Sequence, residues 1–273
     1  MNTNVKTTGR LPDQVILVTG STTGIGEAMV RRFAREGATV VVHGTREDAA
    51  RQLVTEIEAE GGNGSWITAP LTAPEAPAKI MAHVIERWGR LDALVNNAAI
   101  TARSSIETTD PEAFDRFIGI NLKAPFFLIQ AALPHFRSRG GGRVLNIGSI
   151  NSYCGERNML PYSISKGGLV TLTRSLADSL GVEGVRVNLL NVGWTLTPNE
   201  YQVKLKDGLS EGWPDRLPRS LAPGGRLFRP DEVAMAALYF LAEESALVNG
   251  AVLDLEQFPL IGRNPVKESE DDS

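Results

Sequence analysis

The stretch Gln14-Val-Ile-Leu-Val-Thr19-Gly20-Ser-Thr-Thr-Gly24-Ile-Gly26 decides the fold of this 273-residue chain. Its first six residues are a short apolar, β-branched run, typical of a strand buried on both faces. A glycine-rich turn follows, and helical periodicity then extends from residue 27 to residue 36. Gly37 ends that helix, and residues 38–43 predict a second buried strand. Strand, turn, helix and strand in this order predict a βαβ unit.

The same alternation continues along the chain. Further strands are predicted at residues 65–69, 91–96, 143–147, 185–190 and 251–255. Further helices are predicted at residues 46–61, 74–88, 110–139 and 162–180, with Pro125 bending the third of them. Strands and helices that alternate throughout predict an α/β fold: a single-domain, Rossmann-type, doubly wound parallel sheet of about seven strands with helices on both faces.

The predicted organisation is one dinucleotide-binding and catalytic domain at residues 12–263. A flexible arm, residues 1–11, precedes it, and an acidic, disordered tail, residues 264–273, follows it. Residues 194–229 interrupt the regular pattern and predict a polar, irregular substrate loop.

Composition narrows the function classes. The net charge of −4 argues against binding to nucleic acid or to an anionic membrane by bulk charge. With one cysteine, Cys154, and three histidines far apart, neither a disulfide framework nor a metal site is expected. The start of the chain lacks an apolar signal segment, and no stretch reaches the ~18 apolar residues of a membrane span. We therefore expect a cytoplasmic protein with no membrane partner.

The glycine-rich turn predicts a dinucleotide site. In a doubly wound sheet, ligands bind at the carboxyl ends of the strands, where a pyrophosphate meets a helix N-terminus. The glycines permit close backbone approach, and the hydroxyls of Ser21, Thr22 and Thr23 add hydrogen-bond donors. The alternative is a turn with a purely structural role.

The end of the second strand indicates which dinucleotide binds. An acidic residue there would bind the ribose 2′-hydroxyl of NAD, whereas a basic residue accommodates the 2′-phosphate of NADP. This chain has Thr45 and Arg46 at that point, and Glu47 and Asp48 are expected to cap the next helix. The sequence therefore favours NADP(H). NAD(H) is the alternative, with Arg46 simply exposed to solvent.

Tyr162 and Lys166 lie four residues apart on a predicted helix and therefore share one face. A free phenol has a pKa of about 10, too high for efficient proton transfer near neutral pH. A neighbouring ammonium favours the phenolate and lowers that pKa. The pair predicts a proton-transfer device; the alternative is a core tyrosine beside a solvated lysine.

Six motifs in one order resemble the short-chain dehydrogenase/reductase family over about residues 12–255. They are Thr19-Gly20-x-x-x-Gly24-Ile25-Gly26, Asn96-Asn97-Ala98-Ala99, Asn121, Ser149, Tyr162-x-x-x-Lys166 and Asn191-Val192-Gly193. The resemblance implies an NAD(P)-dependent oxidoreductase that interconverts a secondary alcohol and a ketone or aldehyde, commonly as a homotetramer or homodimer.

The resemblance also implies roles for four catalytic residues. Tyr162 would exchange a proton with the substrate oxygen, and Ser149 would hydrogen-bond the same oxygen. Lys166 would hold the nicotinamide ribose and lower the pKa of Tyr162. Asn121 would sit where the long helix is distorted and hold a water that leads to solvent. The alternatives are that Asn121 satisfies backbone groups freed near Pro125 and that Ser149 caps a turn.

The predicted cofactor-binding residues come from all these motifs. They are Gly20, Thr22, Thr23, Gly24, Ile25, Gly26, Thr45, Arg46, Leu71, Asn97, Ala98, Ala99, Tyr162, Lys166, Gly193, Thr195 and Thr197. Many family members carry an aspartate near Leu71 that contacts the adenine, and here Leu71 or the backbone must replace it. The usual C-terminal Asp-Gly-Gly is also absent, since the chain continues through residues 254–263. The apolar residues of that segment predict packing on a neighbouring subunit, or otherwise under the substrate loop.

Substrate specificity is expected after the fifth and sixth strands. The predicted substrate-binding residues are Ser149, Asn151, Tyr162 and Trp194, with Tyr153, Cys154 and Glu156 as further polar groups near the cleft. An apolar lid is predicted from Trp194, Tyr201, Trp213 and Leu217. Four cations are predicted to face an anionic or polyhydroxylated substrate, or otherwise solvent: Lys204, Lys206, Arg216 and Arg219. Such a pocket suits a sugar, a polyol or a hydroxy acid.

Two other functions are compatible with the same fold. One is a non-catalytic cofactor sensor or scaffold, which predicts a damaged catalytic set, although all four residues are present. The other is epimerase or dehydratase chemistry, in which the ketone is only an intermediate.

Overall fold

The computed structural model describes residues 9–153 and 156–258. Seven strands lie within these ranges, close to the positions predicted from the sequence. They are β1 (Val15–Val18), β2 (Thr39–Gly44), β3 (Asn63–Thr68), β4 (Ala93–Asn96), β5 (Gly142–Ser149), β6 (Val185–Val192) and β7 (Val252–Leu255). All strand pairs are parallel, in the order β3-β2-β1-β4-β5-β6-β7. The predicted single α/β domain with a doubly wound parallel sheet is confirmed.

Helices cover both faces of this sheet. They are α1 (Gly24–Arg35), α2 (Glu47–Ala59), α3 (Ala76–Trp88), α4 (Pro111–Ile118), α5 (Ala124–Ser138), α6 (Leu160–Leu180), α7 (Pro198–Lys206) and α8 (Pro230–Leu241). One core layer joins α1, α2 and α8 to the sheet through side chains such as Phe33 and Leu238. The other joins α3, α5 and α6 through side chains such as Ile80 and Leu128. The inner strands β1 and β4 are buried along their whole length, whereas the edge strands β3 and β7 are partly exposed.

The sheet order places a crevice above β1 and β4. The chain builds outward from β1 to β3 and then returns to place β4 on the other side of β1. Connections from these two strands therefore leave in opposite directions. Such a switch point is where open α/β sheets bind ligands.

The helical segment predicted at residues 110–139 is divided into three parts. Between α4 and α5 lies one π-helical turn, Gly119–Lys123. Pro125 follows this turn directly, as the second residue of α5, where it has no N–H to offer to the preceding turn. The predicted distortion therefore exists, but it precedes the proline.

The region predicted to be irregular is more ordered than expected. Residues 194–229 contain helix α7. Helix α8 begins directly after this region and was also not predicted from the sequence. Thr197 caps α7 by accepting a hydrogen bond from the backbone N–H of Glu200 at 3.0 Å, and Pro198 occupies the first turn. This is an ordinary helix-start signal that the polar composition of the region obscured.

By length and composition alone, the helical stretch Pro111–Ser138 could cross a membrane, with a mean hydropathy of 1.3 over its most apolar window. The expectation that no stretch would be long and apolar enough for a membrane span was wrong. One side of the stretch packs on the sheet through Leu128, Ile129 and Ala132, while Phe126 and Phe127 are exposed. Several sequence-based expectations lie outside the described residues: most of the N-terminal arm, Cys154, and the chain beyond residue 258.

Candidate active site

A cleft of about 900 Å³ opens at the carboxyl edge of the sheet. It is lined by every predicted cofactor-binding residue, from Gly20 to Thr197, and by the predicted substrate residues Ser149, Asn151, Tyr162 and Trp194. The residues come from seven separate segments of the chain. The order of the motifs along the chain could not show that these residues surround one cavity, and the structure does.

The turn between β1 and α1 forms one wall of the cleft. Gly20 and Gly24 both have φ of +61°, a conformation that disfavours any residue with a Cβ atom. A Cβ atom at Gly26 would lie 2.4 Å from the carbonyl oxygen of Gly20. The glycines therefore let the turn close tightly at the N-terminus of α1, on the wall of the cleft. A dinucleotide pyrophosphate fits such a cradle because backbone N–H groups and the helix dipole both favour anions.

His43 lies directly behind this turn, a position that sequence reasoning missed. Its Nε2 donates a hydrogen bond to the carbonyl of Ala69 at 2.9 Å, and its Nδ1 accepts one from the backbone N–H of Gly20 at 3.3 Å. Both bonds require the neutral ring protonated at Nε2. Burial lowers the pKa of His43, which favours the same form. The imidazole therefore connects the first glycine of the turn to the end of β3.

Thr19 and Asn97 join the ends of β1 and β4. The Thr19 hydroxyl accepts hydrogen bonds from the backbone N–H groups of Asn97 and Ala98, at 3.0 and 3.1 Å. The Asn97 amide donates to the carbonyls of Thr19 and Gly20, both at 2.9 Å. Asn97 thus fixes the turn as well as lining the cleft.

Arg46 lies at the adenosine end of the cleft, with an exposed side chain. The neighbouring acids do not neutralise it: Glu47 and Asp48 belong to the first turn of α2 and pair with Arg51, at 3.1 and 3.4 Å. Thr45 and Leu71 line the same end. An exposed guanidinium beside a hydroxyl is suited to a phosphate monoester.

Tyr162 stands on the first turn of α6, with Ser149 nearby at the end of β5. Tyr162 is only 9% exposed, and burial raises the pKa of its phenol. Ser149, as a hydrogen-bonding group for the phenol, acts in the opposite direction, while the negative charge of Glu200 raises this pKa further. The Ser149 hydroxyl also accepts a hydrogen bond from the backbone N–H of Asn151 at 3.2 Å, so it does cap the following turn.

Lys166 points toward the cleft from the next turn of α6. Its Nζ donates a hydrogen bond to the carbonyl of Ile147 at 2.7 Å and lies 5.7 Å from the centre of the Tyr162 ring. Burial lowers the pKa of Lys166 to about 8. The expected lowering of the Tyr162 pKa is therefore not seen in this structure. Desolvation dominates both groups, and the ammonium is engaged by a carbonyl instead of the phenol.

Asn121 is the predicted catalytic residue that does not line the cleft. It is fully buried within the π-helical turn. Its amide oxygen accepts from the N–H of Ile100, and its amide nitrogen donates to the carbonyl of Ile100 and the hydroxyl of Ser165. Ser165 in turn donates to the carbonyl of Tyr162 at 2.6 Å. Asn121 thus braces the tyrosine helix and the loop after β4.

The substrate end of the cleft carries charges of both signs. Arg103, Glu156, Glu200 and Lys204 line it. The other three predicted cations do not: Arg216 bonds to Ser210 and Glu211, Arg219 bonds to the carbonyl of Pro223, and Lys206 is exposed. For these three side chains the alternative interpretation, exposure to solvent, holds, and the two arginines also bond to their own loop. Tyr153 is also outside the lining, since its hydroxyl donates to Asp254 at 3.1 Å.

The four side chains predicted to form an apolar lid pack together as a cluster. Trp194 stacks on Trp213 with ring centres 5.6 Å apart, and Tyr201 stacks on Trp213 at 6.1 Å. Leu217 packs against the same cluster. Trp213 is 3% exposed, so the cluster anchors the segment and only Trp194 reaches the cleft. In the described part of the chain, no group of three potential metal ligands is present.

Comparison with known proteins gives a consistent picture. The model of the short chain dehydrogenase family matches residues 14–207. The 3-oxoacyl-[acyl-carrier-protein] reductase FabG of Thermotoga maritima is 31% identical over 247 residues, which cover 90% of this chain and 98% of that protein. The L-rhamnose-1-dehydrogenase of Scheffersomyces stipitis is 32% identical over 252 residues, which cover 90% and 95%.

A solved structure agrees with the sequence comparisons. A variant of actinorhodin polyketide ketoreductase with NADPH superposes with a TM-score of 0.84 at 31% identity, covering 89% of this chain and 95% of that one. The family match spans the glycine-rich turn, Asn121, Ser149, Tyr162 and Lys166. The chain therefore belongs to the short-chain dehydrogenase/reductase family and is an NAD(P)-dependent oxidoreductase that acts on CH–OH groups.

Proposed function

We propose that the protein interconverts a secondary alcohol and a ketone or aldehyde, that it prefers NADP(H), and that its substrate is a sugar, a polyol or a hydroxy acid. The observation that carries the proposal is the single cleft shared by Tyr162, Ser149, the glycine-rich turn and the exposed Arg46. A relative named for L-rhamnose supports the sugar class, and a neighbour with NADPH supports the cofactor.

In this proposal Tyr162 moves the proton. Its phenol donates to the substrate oxygen during reduction, and its phenolate accepts the proton during oxidation. Ser149 holds the same oxygen by a hydrogen bond. Lys166 supplies a positive charge near the ring, and Asn121 keeps the π-helical turn beside α6 in place. The nicotinamide, when bound, supplies or accepts the hydride.

The reaction is tested by following absorbance at 340 nm with NADPH and NADH against a panel of alcohols, sugars and ketones. We expect Tyr162→Phe to lose at least ~10²-fold in rate, the lower range for general acid–base catalysis, with cofactor affinity retained. Tyr239→Phe, on the exposed side of α8, is the matched control and should turn over normally. Normal turnover by Tyr162→Phe would refute the assigned role.

The cofactor preference is tested by fluorescence titration of each reduced dinucleotide. Loss of the Arg46 guanidinium should weaken NADPH binding about ten-fold or more and leave NADH almost unchanged, because only NADPH carries the 2′-phosphate. Arg51→Ala removes an equal charge from the same helix but leaves the cleft lining intact. Equal or tighter NADH binding in the unmodified protein would overturn the preference.

We also propose a homodimer or homotetramer in the cytoplasm. Exposed apolar side chains lie on α4, α5 and α6, and packing against a second copy would bury them: Phe114, Phe126, Phe127 and Ile164. Light scattering coupled to size exclusion should show two or four chains. A double Phe126→Ser, Phe127→Ser variant should then dissociate, and a monomeric unmodified protein would contradict the proposal.

A further inference from the structure

The charge distribution at the substrate end of the cleft is uneven. Two cations, Arg103 and Lys204, line it together with the two acids Glu156 and Glu200. A third acid, Asp207, lies behind them and contacts both cations. Three carboxylates therefore accompany two cations in this part of the cleft.

Both cations are already engaged. Arg103 forms salt bridges with Asp207 at 2.9 Å and with Glu156 at 3.3 Å. Lys204 lies 3.5 Å from Asp207, and its Nζ is 5.2 Å from the centre of the Trp194 ring. These acids offset the positive charge that an anionic substrate would meet at either cation. The remaining cation near Tyr162 is Lys166, which is buried and bonded to a carbonyl.

Glu200 is the acid that no cation neutralises at close range. Within the described residues it forms no salt bridge, and its carboxylate accepts a hydrogen bond from the neutral indole Nε1 of Trp194 at 2.7 Å. It occupies the third position of α7, where a glutamate often turns back to the helix cap, but here it turns to Trp194 instead. Its charge reaches both Arg103 and Tyr162.

We propose that Glu200 is a specificity-determining residue that selects neutral, polyhydroxylated substrates, sugars or polyols, over hydroxy acids and other carboxylates. The inference rests on the proposed oxidoreductase function and narrows it. A carboxylate accepts hydrogen bonds from substrate hydroxyls, whereas it repels a substrate carboxylate. Asn151 and Asn199 line the same region and add amide groups that suit hydroxyls.

The test compares matched pairs of a neutral sugar and its sugar acid, for example an aldose and the corresponding uronate, which keeps the same ring and ring hydroxyls, at saturating cofactor. We expect the unmodified enzyme to favour the neutral member in kcat/KM by about ten-fold or more, within the range for one unscreened charge pair near a protein surface. Glu200→Gln should reduce the ratio of kcat/KM for the neutral sugar to kcat/KM for the sugar acid, mainly by lowering KM for the acid. Glu211→Gln, an exposed acid on the following loop, is the matched control and should leave it unchanged.

A second readout separates this role from a structural one. Because the charge of Glu200 raises the pKa of Tyr162, Glu200→Gln should move the pH dependence of kcat for alcohol oxidation to lower pH. A preference of the unmodified enzyme for the acid, or an unchanged ratio in Glu200→Gln, would overturn the inference. If no alcohol or carbonyl compound turns over with either cofactor, the proposed function itself fails and the inference falls with it.

Discussion

Replacing Lys166 by methionine measures how much stability the protein loses by keeping an amine inside its cleft. The lysine side chain is 2% exposed, and methionine has a similar length without the charge. Burial lowers the pKa of Lys166 from 10.5 to about 8. At roughly 1.4 kcal/mol per pKa unit, the charged amine disfavours the folded state by about 3 kcal/mol.

Lys166→Met removes this penalty, but it also removes a hydrogen bond, which lowers the stability of the variant. Lys166 donates to the carbonyl of Ile147 at 2.7 Å, and leaving a buried acceptor unpaired costs about 1–3 kcal/mol. At pH 7 the two terms nearly cancel, so Lys166→Met should be as stable as the unmodified protein or slightly more stable. If burial did not penalise the charged amine, loss of its hydrogen bond alone would make Lys166→Met less stable than the unmodified protein.

The pH dependence gives the decisive measurement. Below pH 8 both folded and unfolded chains carry the proton, and the full penalty applies. Between pH 8 and 10.5 the folded chain releases the proton first, so the stability of the unmodified protein rises relative to Lys166→Met, by about 2–3 kcal/mol at pH 10. Urea unfolding from pH 7 to 10 measures this difference, with Lys79→Met, at an exposed site on α3, as control.

Parallel stability curves for the unmodified protein and Lys166→Met across this range would refute the reasoning. They would mean that the amine reaches water in the folded protein and that its burial in the cleft is not maintained. The control should give parallel curves in either case.

Two further predictions concern the cofactor turn. Because burial lowers the pKa of His43 below its unfolded value of 6.5, urea unfolding should show stability falling as pH drops below about 6.5, and His43→Leu should lose that component of the dependence. Gly24→Ala should lower the free energy of unfolding by about 1–2 kcal/mol in the same assay, because φ of +61° strains any residue with a Cβ atom. The new Cβ itself would meet Thr197 only at ordinary contact distance, so backbone strain and not a clash is the cause.

Much of the fold was predictable because its signals are local. Strands β1, β2 and β4 are largely apolar runs. The glycine-rich turn, Asn97 and Gly193 each follow a strand end, so the parallel order places them on one edge. Helix α7 was missed although Thr197, Pro198 and Glu200 form a recognisable helix start, because a polar, glycine-rich region was taken as irregular.

What could not be predicted depends on contacts between distant segments. His43 ends an apolar run and looks like a strand residue, and its role depends on Ala69, 26 residues later. The pairing of Arg103 with Asp207 joins residues 104 positions apart. The spacing of Tyr162 and Lys166 predicted their shared helix face but not their depth of burial, and burial sets the direction of both pKa changes.

The direction of the pKa shift of Tyr162 favours its protonated form in this structure. Burial and the charge of Glu200 both raise the pKa of Tyr162, so near neutral pH the phenol keeps its proton. A protonated tyrosine beside Ser149 is ready to donate to a carbonyl oxygen, whereas alcohol oxidation requires the phenolate and should accelerate as pH rises. Glu200 would then act twice, by excluding anionic substrates and by keeping Tyr162 an acid. The proposed preference for neutral sugars or polyols and the expected reductive bias at neutral pH therefore depend on one carboxylate, and removing its charge should weaken both together.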